Sequence, residues 1–151
     1  MRVIIQRVKN AEVKISNQVF SAINHGFLIL LGIEDRDEKE DAEWLVRKIS
    51  AMRIFSDNEG KMNLDIKQVN GSFLVISQFT LFASTQKGNR PSFIRSARPD
   101  KAIPLYEYFL AFLSQESGIQ PATGQFGADM QVSLLNDGPV TIWMDSRNRE
   151  Y

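Results

Sequence analysis

The chain has 151 residues, 43% hydrophobic and 24% charged, proportions that suit a globular protein able to bury a core without disulfides or metal. Eighteen basic residues balance eighteen acidic ones, which excludes a polycation that grips nucleic acid indiscriminately, and the lack of cysteine excludes thiol catalysis and thiolate metal sites. No linker, repeat or low-complexity segment divides the chain, so residues 1–151 read as one domain.

The start, Met1 to Val8, has neither the long apolar stretch nor the small-residue cleavage site of a signal peptide. Arg2–Val8 is rich in β-formers and predicts a strand. Glu12–Ile15 and Gln18–Ile23 flank Ser16-Asn17 and predict a hairpin. Phe27–Ile33 is apolar throughout, as a strand covered on both faces requires. Its Phe27–Leu31 core is the longest apolar run and far too short for a bilayer, so no membrane span and a cytoplasmic location are expected.

A helix follows, with Asp37 as the expected cap. Ala42, Leu45, Val46 and Ile49 form one apolar stripe, and acids crowd the first turn where the helix dipole favours them. Arg53–Phe55 predicts a short strand, then a turn at Asn58-Glu59-Gly60. Ser72–Ile76 is the next buried strand and runs into Ser77-Gln78-Phe79-Thr80-Leu81. A second helix is expected with Pro104 in its first turn, a core stripe of Leu105, Tyr108, Phe109, Phe112 and Leu113, and Gly118 at its end. Strands return at Pro121–Phe126, Met130–Leu135 and Val140–Met144, the last two joined by Asn136-Asp137-Gly138-Pro139. Two helices among many strands indicate an α+β (α/β) domain with a mixed or antiparallel sheet.

Charge is unevenly placed. Residues 35–43 carry six acids and two bases; residues 84–101 carry Lys87, Arg90, Arg95, Arg98 and Lys101 against Asp100. A local basic loop suits a partner engaged at one end, although charge alone favours the plainer reading of a solvated loop.

Catalytic side chains are scarce. His25 is the one histidine and sits in a turn, so a histidine-rich zinc site cannot be assembled and no metal is expected. No nucleophile elbow, Walker loop or dinucleotide fingerprint occurs. Two polar segments remain. Ser77-Gln78-Phe79-Thr80 offers hydroxyls, an amide and backbone N–H groups where a buried strand surfaces: an oxyanion hole with Thr80 as candidate nucleophile, or a plain strand end with local hydrogen bonds. Asn136-Asp137-Gly138-Pro139-Val140-Thr141 reads as a hairpin turn, or as a place where a cis peptide is held.

Together, in this order, the two segments resemble the D-aminoacyl-tRNA deacylase family, which carries an SQ-x-x-T motif and a Gly-Pro motif in these settings. The opening Met1–Val8 and the stretch Gly124–Met130 are similar to it as well, and the likeness covers essentially the whole chain. The resemblance implies a barrel-like core with two main helices, and a homodimer whose active sites join the SQ-x-x-T loop of one chain to the Gly-Pro loop of the other. It implies a cis Gly138-Pro139 bond steadied by Arg7, with Phe126 and Ala102 lining the adenosine pocket. The activity implied is hydrolysis of D-aminoacyl-tRNA without a cofactor, the partner being the aminoacylated 3′ end of tRNA.

Main-chain carbonyls of the Gly-Pro pair would exclude L-amino acids by a steric veto, while glycine, as in mischarged glycyl-tRNA(Ala), would pass. Backbone N–H groups near Phe79 and Thr80 would stabilise the oxyanion, with the tRNA 2′-hydroxyl assisting in place of a Thr80 nucleophile. The basic loop is placed to meet acceptor-end phosphates. Two other readings compete: a non-catalytic module that binds RNA ends, and a threonine-nucleophile hydrolase of another ester.

Overall fold

A computed structural model describes residues 1–150. Strand β1 (Arg2–Ile15) turns into β2 (Gln18–Ile23) through Ser16 and Asn17, both at positive φ (50° and 63°), the backbone that a two-residue hairpin turn demands. Then come β3 (Gly26–Gly32), α1 (Lys39–Ser50), the short pair β4 (Phe55–Ser56) and β5 (Met62–Leu64), and β6 (Ser72–Ser77). A 3-10 turn (Phe79–Phe82), α2 (Pro99–Ser117), β7 (Ala122–Thr123) and β8 (Gln131–Asp145) complete the order.

The main sheet runs β2-β1-β3-β6-β7, with β8 also on β1. It is mixed: β3–β6 and β6–β7 are parallel, the other pairings antiparallel. The Ser21 hydroxyl on β2 donates to the Thr123 carbonyl on β7 at 2.6 Å, so the two ends of the sheet meet and nearly close a barrel. Alternation along the strands divides the core. Phe27, Ile29, Leu31, Phe73 and Val75 face the two helices; Leu28, Leu74, Ile76, Val8, Ala11 and Val13 fill the barrel. The inward positions of β1 change parity between Val8 and Ala11, where its pairing with β8 slips. No helix is long and apolar enough to cross a membrane among the described residues.

Several expected boundaries move. The cap of α1 is Glu38, not Asp37: the Glu38 N–H donates to the Asp41 carboxylate at 2.9 Å. Asp37 is fully buried instead, and its carboxylate takes the Met1 ammonium at 2.5 Å and the Glu34 N–H at 2.8 Å. Helix α2 begins with Pro99 in its first turn, which places Pro104 in the second turn and leaves the Asp100 carbonyl without its helical donor. Along α2, Tyr106 is buried while Tyr108 and Phe112 are half-buried; the Tyr108 hydroxyl donates to Glu43 of α1 at 2.8 Å. The short strand expected at Arg53–Phe55 lies at Phe55–Ser56, and β7 covers only two residues of Pro121–Phe126.

The largest correction concerns residues 130–144. They form no hairpin. β8 is one strand laid along β1 for nearly its whole length, and Gly138-Pro139 lies in its middle. Gln6 pairs Thr141 and Val8 pairs Asn136, so residues 137–140 stand opposite Arg7 alone. A fourteen-residue β1 offers enough unpaired backbone groups to keep β8 on course, and the surplus residues bulge out.

Candidate active site

A cavity of about 620 Å³ opens where β3 and β6 end. Ser77, Gln78 and Phe79 line one side; Ala102, Phe126 and the 96–99 segment line another; Leu31, Ile33, Ile76, Met130 and Val132 make it apolar. Gln78 N–H continues the parallel ladder to the Leu31 carbonyl at 2.8 Å, and the chain then coils into the 3-10 turn. Gly32 gives that turn its seat: a Cβ there would stand 3.0 Å from both the Gln78 carbonyl and Leu81 Cβ.

The first bond of the turn runs from Leu81 N–H to the Gln78 carbonyl at 3.2 Å, so the Phe79 and Thr80 amides precede it and have no partner inside the turn. The Ser96 hydroxyl donates to the Phe79 carbonyl at 2.8 Å. That carbonyl and the Thr80 N–H share one planar peptide, so Ser96 fixes the direction in which the Thr80 N–H points. No local signal in the sequence marks Ser96, because the contact joins residues seventeen apart.

Thr80 is held differently from the way a nucleophile is. Its Oγ1 accepts from Gln78 Nε2 at 2.5 Å, and an amide nitrogen cannot take a proton. His25 lies elsewhere, its ring 5.0 Å from Phe55. Phe126 meets Tyr106 edge-on at 5.9 Å, and burial pushes the Tyr106 phenol up, keeping it a donor to the Val75 carbonyl at 2.8 Å. Among the described residues no three metal-ligating side chains gather.

The cations of the loop divide into two groups. Arg95 pairs with Glu34 and Lys101 with Glu38, each at 3.1 Å, so the acidic and basic segments meet and partly cancel. Lys87, Arg90 and Arg98 are exposed and make no ion pair among the described residues, and Arg98 lines the cavity.

Arg7, Gly138 and Pro139 do not line this cavity. The Gly138-Pro139 bond is cis. Arg7, buried, donates from Nε to the Asp137 carbonyl at 3.0 Å and from Nη1 to the Ile54 carbonyl at 2.5 Å, holding the bulge from beneath. Arg7 pairs with Phe27, whereas cavity-lining Leu31 pairs with Val3. Four rungs separate the two clusters, roughly 13 Å along the strands. One chain brings Ser77, Gln78, Phe79, Ala102 and Phe126 together; it does not bring Gly138-Pro139 to them.

Comparison with known proteins bears on what such a site is for. A family described as D-Tyr-tRNA(Tyr) deacylase matches residues 4–145. Relatives named D-aminoacyl-tRNA deacylase include one from Akkermansia muciniphila, 61% identical, and one from Phocaeicola vulgatus, 59% identical, each alignment covering 99% of this chain and 100% of the relative. A solved structure described as c-Myc DNA unwinding element binding protein superposes with a TM-score of 0.89 at 37% identity, covering 96% of this chain and 98% of that one. A second, of a probable eukaryotic D-amino acid tRNA deacylase, superposes at 0.83 over 95% of this chain and 98% of its own, and at 17% identity it speaks for the fold alone. Full-length identity at this level agrees with the family resemblance of the sequence: the chain belongs to the D-Tyr-tRNA(Tyr) deacylase family, whose members are hydrolases of ester bonds.

Proposed function

We propose that the chain hydrolyses the ester bond of D-aminoacyl-tRNA, releasing a free D-amino acid and tRNA. Water adds to the ester carbonyl carbon, the bond to the ribose oxygen breaks, and the proton goes to that oxygen. The observation that carries the reading is the apolar-walled cavity at the strand ends, lined by Ser77, Gln78, Phe79, Ala102 and Phe126; to Ala102 and Phe126 we assign the adenosine, and to the Phe79 and Thr80 amides, which have no partner inside the 3-10 turn, the oxyanion. An aminoacyl ester is already activated, so a site without a side-chain base suffices, and we assign assistance to the 2′-hydroxyl of the terminal ribose. The Gln78–Thr80 hydrogen bond supports this over a Thr80 nucleophile.

Chiral selection is assigned to the Gly138-Pro139 segment of a second copy in a homodimer. In support, the segment is exposed and lies far from its own chain's cavity, and among the described residues β8 pairs with β1 alone, with Leu135 (52% exposed) and Trp143 (39%) partly exposed. Carbonyls there would collide with an L side chain and leave a D side chain free; glycine, as in glycyl-tRNA(Ala), would pass. The working partner is the aminoacylated 3′ end of tRNA, met in the cytoplasm.

The deciding experiment compares amino-acid release from matched D- and L-aminoacyl-tRNA at catalytic enzyme concentration, with a third substrate ending in 2′-deoxyadenosine. Turnover of the D form alone, and slow turnover of the deoxy substrate, are expected. Stoichiometric binding without release would favour an RNA-end binding module. A covalent adduct on Thr80 would favour a threonine hydrolase.

A further inference from the structure

The neck of the β8 bulge is tied by one side chain. β8 leaves its ladder after Asn136 and rejoins it at Thr141. Across that gap the Asn136 Oδ1 accepts the Val140 N–H at 3.0 Å, and its Nδ2 donates to the Thr141 hydroxyl at 3.0 Å. A planar carboxamide thus fixes both residues on the returning limb, while Arg7 fixes Asp137 on the outgoing limb. Val140 also bounds the space at the tip, since a Cβ placed on Gly138 would stand 2.7 Å from Val140 Cγ2. Holding Val140 therefore sets how far Gly138 and Pro139 can shift.

We propose that Asn136 is a positioning residue for stereochemical selection: by tying Val140 and Thr141 it keeps the Gly138-Pro139 carbonyls rigid enough to reject L-amino acids. The inference rests on the selector role assigned above to that segment. A wall that yields by an ångström no longer vetoes a side chain, whereas a D substrate, directed away from the wall, gains nothing from the change. Loss of Asn136 therefore alters the ratio of L to D hydrolysis, which a general loss of stability, lowering both rates together, leaves unmoved.

The test measures release of amino acid from matched D- and L-aminoacyl-tRNA by the wild type, Asn136→Ala, Asn136→Asp and Gly138→Ala. Asn136→Ala is expected to raise the L-to-D ratio about tenfold, the scale of one or two lost hydrogen bonds. Asn136→Asp, which keeps the acceptor for Val140 and can accept from Thr141, is expected to restore most of the discrimination. An unchanged ratio in Asn136→Ala beside a changed ratio in Gly138→Ala overturns the role of Asn136 and leaves the selector reading standing; unchanged ratios in both overturn the selector reading as well. If circular dichroism shows Asn136→Ala unfolded, Thr141→Val decides in its place, since it removes only the Nδ2 partner: a smaller rise in the ratio supports the proposal, and no rise overturns it.

Discussion

Thr80 shows how a side chain's partner decides its chemistry. Its hydroxyl accepts a hydrogen bond from an amide, and no group in that contact can take its proton. Thr80→Ala is therefore expected to keep D-aminoacyl-tRNA hydrolysis within about tenfold of wild type, the effect of losing one hydrogen bond of about 1 kcal/mol, whereas loss of a true nucleophile costs about 10⁴-fold or more. Single-turnover rates separate the two. At this scale the sequence was informative about identity and silent about arrangement. Ser77, Gln78 and Phe79 stand together because they follow one another on a strand end. Ala102 and Phe126 join them only through the packing of α2 and the segment after β7, and Ser96 only through the return of the basic loop.

At the scale of elements, the bulge and the basic loop each carry a consequence. Arg7 is buried and satisfies the Asp137 and Ile54 carbonyls. Arg7→Met leaves both without that donor, and a loss of about 2–4 kcal/mol is expected, read as a lower urea midpoint. In the basic loop, Lys87, Arg90 and Arg98 are the cations without an ion pair among the described residues. Replacing all three by alanine should raise KM for aminoacyl-tRNA while sparing kcat, and flatten its dependence on salt; replacing Arg95, already paired to Glu34, should do less. Steady-state kinetics between low and moderate salt measures both.

The elements themselves were largely legible, because an apolar stripe or an apolar run reports burial locally: α1, β3, β6 and the first hairpin stand where their patterns lie. Asn136–Pro139 misled because its residues are those of a turn, while the competing influence, a long β1 alongside, is more than a hundred residues away in the chain.

At the scale of the whole molecule, the ends of the chain are joined by charge. The Met1 ammonium, Asp37, Ser146, Asp41 and Arg147 form one connected cluster, and Arg2 pairs with Asp145 at 2.8 Å. Burial pushes the Asp41 carboxyl up, but the Glu38 amide, the Ser146 hydroxyl, the Met1 ammonium and Arg147 outweigh it and hold it below its ordinary value of 3.8. Burial likewise pushes Asp145 up, and Arg2, the Arg147 amide and the ammonium bring it below the same value. A carboxylate with a depressed folded pKa contributes stability above its unfolded pKa and loses it as pH falls through the folded one. The urea midpoint should therefore be insensitive to these two groups from about pH 7 to pH 5 and decline below about pH 4, and Asp145→Asn should blunt that decline. A decline already complete by about pH 5 would assign the acid limit to other groups.

From the sequence alone followed the class of the fold, the faces that become core, the two polar segments and, through them, the family. Each of these is written in neighbouring residues, where spacing along a strand or helix decides which side is apolar. The tertiary structure alone decided the Ser21–Thr123 contact that nearly closes the sheet, the passage of β8 straight through its glycine and proline, and the cancellation of Arg95 and Lys101 by acids. It alone gave the measure of the gap between Gly138-Pro139 and the cavity within one chain, four rungs of the β1–β3 ladder. Those outcomes depend on contacts between distant segments, and local pattern states what a segment can bury without naming what it will meet.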